Sequence, residues 1–364
     1  MTVAEVGKLL DTLSPLHYSE DFDNVGLLVG RPETKVHGIL VTLDTLEEVI
    51  DEAIAKKCNL IVSFHPIIFG GLKKLVGKTY VERVVMKAIA NNVAIFAIHT
   101  ALDNHHLGVN AKICEVLGVQ NPKILIPKKG TIKKLITYVP KAAADDLRNA
   151  LFKAGAGNIG NYSNCSFNLE GFGSFNPSEN SNPTIGEKGK THLEKEIQLN
   201  ITFESAREGE VLNALFKNHP YEEVAYEVTT LDNFNQNIGM GMIGTLEAPV
   251  KEEKFLQVVK ERMRTPVIRH SQLRNEKIGK VAVLGGSGAF AIDAAKQAGA
   301  DIYITADVKY HQFFEAENRL IIADIGHFET EQFTKNLLAD FLKEKIPNFA
   351  VTLSESKTNP VKYF

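Results

Sequence analysis

Uninterrupted apolar runs alternate with helical patterns in the N-terminal part of the chain. Residues 38–43 (GILVTL), 60–63 (LIVS) and 94–98 (AIFAI) predict buried strands, and residues 46–57 and 81–90 predict helices between them. Strands that are covered by helices on both faces are apolar at nearly every position, as these runs are. The region is therefore predicted to fold as parallel βαβ units.

The same rhythm returns near the C-terminus. Residues 280–284 (KVAVL), 301–305 (DIYIT) and 319–323 (RLIIA) predict three more strands, which are separated by a helix and by a shorter helical turn. We therefore expect an α/β fold whose core has two similar halves with parallel-rich sheets.

The sequence between the two halves has a different pattern, typical of an α+β domain. Residues 155–190 are rich in Gly, Asn and Ser and predict long loops with irregular hairpins. The segments that predict strands are 135–140, 196–203 and 224–231, and those that predict helices are 145–155 and 209–218. We interpret this region as an inserted domain at residues 129–235, with the α/β core formed by residues 1–128 and 236–364.

Composition excludes several classes of protein. The 364 residues are 44% hydrophobic and 23% charged, as in folded globular proteins. A net charge of -3 without long single-sign blocks gives no indication of nucleic-acid binding. The chain has neither a secretion signal nor an apolar run of the ~20 residues that a membrane span requires, so we expect a cytoplasmic location. The three cysteines show no C-x-x-C pairing and predict neither disulfides nor a zinc knot.

Nearly every predicted strand of the core is followed by a side chain that can bind metal. In open α/β sheets ligands bind beyond the carboxyl ends of the strands, where loops carry polar groups. Convergence of histidines and carboxylates there favours a metal site, although each residue alone is explained equally well as a helix cap or a hydrogen-bonded loop residue. The residues in question are Asp44, His65, His99, Asp103, Asp307, His311, Asp324, His327, Glu329 and Glu331.

Two spacings support the metal-site hypothesis. His327 and Glu331 are four residues apart, so a helix that begins at GHFETEQF would direct both side chains to one face. His99 and Asp103 repeat this spacing, and His65 adds another strand end. Imidazole nitrogen and carboxylate oxygen together suit Zn, Mn, Fe or Co better than Mg or Ca.

A glycine motif offers a different hypothesis. Residues 286–291 (GSGAFA) match the dinucleotide fingerprint G-x-G-x-x-G/A, and Asp307 follows at about the distance expected of a ribose partner. This arrangement is typical of NAD-binding proteins. A tight glycine turn between strand and helix explains the motif equally well, and Asp307 can instead orient a metal-binding histidine.

Eight short motifs stand out along the chain. Six lie in the core halves, DFDNVGL (21–27), FHP (64–66), HTALD (99–103), GGSG (285–288), DVKYH (307–311) and DIGHFETE (324–331), and two lie in the middle region, NIGNY (158–162) and HPYEE (219–223). Taken together, they resemble those of the GTP cyclohydrolase I type 2 homologue family, also called the Nif-three-like proteins, and the resemblance runs essentially end to end. The two middle motifs are similar to those of the PII/CutA-like insertion of long bacterial members, which has a ferredoxin-like α+β fold.

This resemblance implies a dinuclear metal site in a homohexamer built as a trimer of dimers. Carried over by position, His65 and Asp103 would bind one metal, His327 would bind the second, and Glu331 would bridge both. The family commonly has two adjacent histidines before the proline, and Phe64 replaces the first of them here. We therefore expect one or two divalent ions per subunit, the second with fewer protein ligands.

Three functional hypotheses follow. A metal-dependent hydrolase would act on a small molecule, either GTP, as the family name implies, or another nucleotide or phosphate compound. A non-catalytic metal-handling or regulatory protein is the alternative, with the inserted domain sensing a ligand or partner. An NAD-binding protein is the third hypothesis. The sequence assigns no catalytic residue.

Overall fold

The computed structural model describes all 364 residues. Its chain forms two compact units, which we call the core unit and the inserted unit. The core unit comprises Met1–Pro127 and Gln236–Phe364, and the inserted unit comprises Lys128–Asn235. No helix combines the length and the apolar character that crossing a bilayer requires.

Fifteen strands are present, and they are numbered in chain order. They are β1 Gly26–Val29, β2 Ile39–Thr42, β3 Leu60–Ser63, β4 Ala94–Ala97, β5 Gln120–Pro127, β6 Ile132–Pro140, β7 Phe167–Phe175, β8 His192–Glu204, β9 Tyr226–Leu231, β10 Gly239–Lys251, β11 Arg269–His270, β12 Lys277–Ser287, β13 Ile302–Ala306, β14 Ile321–Asp324 and β15 Val351–Leu353.

Eleven α-helices accompany the strands, together with five short 3₁₀ segments. The helices are α1 Val3–Leu13, α2 Glu47–Ala55, α3 Tyr80–Ala90, α4 His99–Asp103, α5 Val109–Leu117, α6 Ala144–Lys153, α7 Glu208–Asn218, α8 Glu252–Arg262, α9 Ile292–Gln297, α10 His327–Glu331 and α11 Thr334–Lys345.

The first sheet of the core unit has the strand order β1-β4-β3-β2-β15. Strands β2, β3 and β4 pair in parallel, which confirms the prediction for the N-terminal half. Strand β15 adds in parallel to β2, and β1 pairs antiparallel with β4. All side chains of β2, β3 and β4 are buried, because helices α2 and α3 cover one face of the sheet and the main hydrophobic core covers the other.

The second sheet of the core unit has the order β11-β14-β13-β12-β10-β5. Strands β12, β13 and β14 are parallel, as the C-terminal rhythm predicts, while the outer strands are antiparallel. Aliphatic side chains from both sheets meet in one buried cluster, which includes Val41 and Val62 from the first sheet and Val283 and Ile304 from the second. This shared core fixes the carboxyl ends of the parallel strands in place.

The inserted unit has the element order β-α-β-β-α-β and the antiparallel sheet order β7-β8-β6-β9, the arrangement of ferredoxin-like domains. Helices α6 and α7 pack on one face of this sheet. The long loops at residues 155–166 and 176–191 agree with the prediction for residues 155–190, but β7 between them is a regular strand of nine residues. Pairing with β8 stabilises β7 as a strand, which the Gly- and Asn-rich sequence of the region does not predict.

The segment after β15 is held to the core unit by Glu52 of α2. Its carboxylate accepts hydrogen bonds from Ser354 Oγ at 2.6 Å, Glu355 N at 2.8 Å and Ser356 Oγ at 2.6 Å, and it pairs with Lys56. Burial opposes ionisation of Glu52, but these donors outweigh it and lower its pKa to about 2. One carboxylate thus anchors the start of the C-terminal segment.

We expect Glu52→Gln to lower the stability of the protein at neutral pH by about 1–3 kcal/mol, because hydrogen bonds to a charged group are lost. A depressed folded-state pKa contributes stability that is present above the unfolded value of 4.5 and is lost as pH falls toward about 2. The difference in melting temperature between wild type and variant should therefore shrink across that window. Glu48→Gln, at an exposed position of the same helix, is the control, and an equal loss in both variants would contradict the assignment.

Candidate metal centre

His65 lies just beyond the carboxyl end of β3, where a carboxylate fixes its ring. Its Nδ1 lies 2.7 Å from Oδ1 of Asp44, the residue that follows β2 by two positions. Because a carboxylate accepts hydrogen bonds, Nδ1 of His65 is the donor in this contact. The other ring nitrogen, Nε2, faces the opposite direction and lies 3.0 Å from Oε2 of Glu331. Holding one ring nitrogen by a carboxylate is how proteins orient histidines that bind metal with the other.

His327 repeats this arrangement from the second sheet. It begins helix α10 after β14, and its Nδ1 lies 2.6 Å from Oδ2 of Asp307, which follows β13. Its Nε2 lies 3.3 Å from the same Glu331 Oε2, because Glu331 is one helical turn further along α10. Asp307 adopts a positive φ of 56°, a strained backbone state for a residue other than glycine. Of the two roles considered for Asp307, contact with a histidine is the one that this geometry favours.

Glu331 is the buried centre of the cluster. Its side chain is 4% exposed, and one ligand atom each from His65, His327 and Glu331 lie within 4.8 Å of one another. Its Oε2 lies 3.0 Å from Nε2 of His65 and 3.3 Å from Nε2 of His327, and both contacts are ion pairs when the imidazoles are protonated. The three side chains converge closely enough for one cation to take the place of the protons between them.

The electrostatics of the cluster favour positive charge. Burial opposes protonation of His65, but Asp44 and Glu331 outweigh it and raise its pKa to about 10. Glu331 and Asp307 likewise outweigh burial and raise the pKa of His327 to about 9. The two imidazoles in turn lower the pKa of Glu331 in spite of its burial. The same negative potential that holds protons on these rings attracts a divalent metal ion.

Asp103 lies beside this cluster but outside its closest group. It ends helix α4, and its Oδ1 is buried without a hydrogen-bond partner. Burial, and next the negative charge of Glu331, raise the pKa of Asp103 well above its usual value. A buried carboxylate oxygen without a hydrogen-bond partner close to Glu331 fits a metal centre. The structure thus brings together three of the four predicted ligands, with the fourth adjacent.

His99 is oriented by a residue that sequence reasoning did not place in the site. Its Nδ1 lies 2.7 Å from Oδ1 of Asp23, and its ring is 5.4 Å from that of His65 between centroids. Asp23 belongs to the motif DFDNVGL, but it does not follow a strand as the other candidates do. Its role is therefore evident only from its contact with His99. The ring of Phe64 packs against both histidines and is fully buried.

The glycine motif at residues 286–291 makes room for the cluster. Gly286 has a φ of +67°, and a Cβ added there would lie 2.4 Å from Oε1 of Glu331. A Cβ at Gly288 would lie 2.2 Å from Thr305 Oγ1. Close packing therefore accounts for both glycines. The NAD hypothesis stays a prediction, which the effect of NAD on the melting temperature tests.

A cavity of about 440 Å³ opens beside His65 and His327. The segment after Ser354 forms part of its wall, and Thr358 donates to Oδ2 of Asp44 at 2.6 Å while Asn359 donates to Glu329 at 3.1 Å. Sequence reasoning missed these residues, since neither periodicity nor motif marks the segment. The cavity is large enough for a small-molecule substrate.

Asp324, Glu329 and His311, the remaining candidates, are not part of the cluster. Asp324 pairs with Arg269, and Glu329 is buried beside the cavity, where Asn359 donates to it. The His311 ring packs against Tyr310 and Phe314 in a 3₁₀ segment.

Comparison with known proteins identifies the family. The model of the family described as Duf34/NIF3 (NGG1p interacting factor 3) matches residues 1–360. The chain belongs to the DUF34/NIF3 family. It is 36% identical over 364 residues to the GTP cyclohydrolase 1 type 2 homolog of Bacillus subtilis, covering 99% of this chain and 98% of the relative.

Solved structures of DUF34/NIF3 relatives agree in fold. A Bacillus cereus protein related to NIF3 is 35% identical, with a TM-score of 0.87 and coverage of 100% of this chain and 99% of that one. The Staphylococcus aureus protein SA1388 is 28% identical, with a TM-score of 0.79 and the same coverage. These matches confirm the family resemblance that the motifs indicate.

Glu331→Gln should remove most bound metal, whereas Glu329→Gln should remove little. Only Glu331 lies against both imidazoles, while Glu329 accepts a hydrogen bond from Asn359. Removing the charge of a carboxylate that lies against both histidines is expected to weaken metal binding by about tenfold or more. Metal content after dialysis at equal protein concentration is the measurement. Both residues are buried, so melting temperatures must be compared, and equal metal loss in two folded variants would refute the ligand assignment.

Proposed function

We propose that this DUF34/NIF3 protein is a metal-dependent hydrolase that acts on a nucleotide or another phosphate compound. The supporting observation is the convergence of His65, His327 and Glu331, with Asp103 beside them, where the two histidines line a cavity large enough for a small molecule. Zn, Mn, Fe or Co would suit these ligands. Such an ion would polarise an oxygen atom of the substrate and lower the pKa of a bound water molecule. GTP is one candidate substrate, because the relatives carry the name GTP cyclohydrolase 1 type 2 homolog.

Arg269 supports an anionic substrate. Its guanidinium lines the cavity, donates to Val308 O at 3.0 Å, pairs with Asp324 and stacks over Phe313. These contacts hold the planar group in place while its side chain remains 56% exposed. A fixed guanidinium with free N–H groups is suited to bind phosphate oxygens.

The alternative is a non-catalytic metal-handling or regulatory protein. A separate cavity in the inserted unit favours a sensing function for that unit. We also propose, from the family resemblance, a cytoplasmic homohexamer arranged as a trimer of dimers, with an inserted unit of the PII/CutA-like type. Light scattering on the purified chain tests the assembly, for which six times the subunit mass of 40.2 kDa is expected.

Turnover distinguishes the two functions. Protein purified without chelators or a His tag and then loaded with Zn, Mn, Fe or Co should hydrolyse GTP or a simple phosphomonoester. The Glu331→Gln variant should lose this activity, and the exposed-site variant Glu48→Gln should keep it. Metal exchange with a chelator but no release of product from any nucleotide or phosphate ester would reject the hydrolase in favour of metal handling.

The number of metal ions depends on Phe64. We propose that one ion binds tightly and a second weakly, since the family's usual histidine is replaced by a ring that cannot ligate. Phe64→His should raise metal content at sub-saturating concentration from nearer one toward two per subunit. It should also lower stability by about 1 kcal/mol or more, because Phe64 is fully buried.

Metal analysis and thermal denaturation of the same Phe64→His preparations test both expectations. Two ions of equal affinity in the wild-type protein would contradict this role for Phe64. His99 would then be the candidate ligand, because its ring is 5.6 Å from that of Phe64 and its Nδ1 is already held by Asp23.

A further inference from the structure

The inserted unit contains a cavity of about 690 Å³, within the size range of small-molecule sites. Helices α6 and α7 cover one face of the sheet, where Ile197 and Leu199 of β8 are buried. Glu196 and Gln198 alternate with these residues and therefore lie on the other face, which forms the floor of the cavity. Segments around Pro183 and Tyr221 form part of the remaining wall.

All residues of this cavity that carry a formal charge are glutamates, and no Lys, Arg or His lines it. Glu170 is paired with Lys141, and Glu222 accepts a hydrogen bond from the backbone of Asn182. The lining carboxylates are Glu170, Glu196, Glu222 and Glu223. Such a wall repels phosphates and carboxylates and attracts cations.

Glu196 is the carboxylate that best fits a ligand-binding site in this cavity. The residue is only 8% exposed, and its Oε1 accepts a hydrogen bond from Tyr221 OH at 2.8 Å. Burial, and next the bond to Glu196, raise the pKa of Tyr221, so its hydroxyl remains a donor. Oε2 has no hydrogen-bond or ion-pair partner and points toward β7, where a Cβ at Gly173 would lie 2.1 Å from it. This oxygen is therefore free to accept a charge-assisted hydrogen bond from a cationic ligand in the cavity.

Aromatic rings stand beside this carboxylate. Phe175 and Tyr221 lie 5.9 Å apart between ring centroids, and Tyr138 and Phe172 also line the cavity. Aromatic faces attract organic cations through their quadrupoles and bury the apolar part of the same ligand. The combination differs from a metal site, which would need several converging ligand atoms.

We propose that the inserted unit binds an organic cation, an amine or guanidinium carried on an apolar or aromatic body. The cationic group pairs with Glu196 Oε2, and the body lies against Phe175 and Tyr221. This site is independent of the metal centre in the core unit, whose ligands belong to other residues.

Three indole compounds of similar shape test the proposal on the full-length protein by calorimetric titration. Tryptamine is the cationic probe, 3-ethylindole is the neutral one and indole-3-propionate is the anionic one. Tryptamine should bind most tightly and indole-3-propionate least. Glu196→Gln should weaken tryptamine by about tenfold or more, the effect of losing a charged hydrogen-bond acceptor, and leave 3-ethylindole unchanged.

A second variant tests the location without altering charge. A Cβ at Gly171, the cross-strand partner of Glu196, meets no atom within 4 Å, so Gly171→Leu should fold and fill the cavity. It should abolish binding of tryptamine and 3-ethylindole alike. Glu210→Gln, on helix α7, and Glu331→Gln, in the metal centre, are controls that should bind tryptamine as the wild type does.

Three results would overturn the proposal: no binding of tryptamine, equal or tighter binding of indole-3-propionate, or unchanged tryptamine affinity in both folded cavity variants. Loss of tryptamine binding in Glu331→Gln alone would place the amine at the metal centre instead. Failure of the hydrolase test has no bearing on these outcomes, because they are read from binding and not from turnover.

Discussion

One buried carboxylate determines the organisation of the core unit's site. Glu331 Oε2 lies 3.0 Å from Nε2 of His65 and 3.3 Å from Nε2 of His327, and the other nitrogen of each imidazole is held by an aspartate. The negative charge concentrated there raises the pKa of both imidazoles and favours a bound cation in place of their protons. The glycine at 286, the strained Asp307 and the turn of α10 all serve to bring that carboxylate between the two rings.

The two sheets contribute to the site in the same manner. Asp44 and His65 follow neighbouring parallel strands of the first sheet, and Asp307 and His327 follow neighbouring parallel strands of the second. Each sheet therefore supplies one histidine and the aspartate that orients it. Because aliphatic residues of both sheets share one core, these pairs are held rigidly enough to meet at Glu331.

The inserted unit is built for a different chemistry. Its cavity has carboxylates and aromatic rings where the core unit has histidines, and Arg269 has no counterpart among its lining residues. The candidate metal centre and this second cavity therefore lie in units of one chain that have separate hydrophobic cores.

Sequence alone determined the parallel strands, the helix at His327–Glu331 and the candidate ligands, because local periodicity and strand-end position encode them. It also indicated the family through linear motifs. Only the tertiary structure decided that Asp23 orients His99, that Thr358 contacts Asp44 and that β7 is a strand. These features depend on contacts between residues far apart in sequence. Such contacts stabilise the protein only when the distant segments pack together, so no local sequence pattern predicts them.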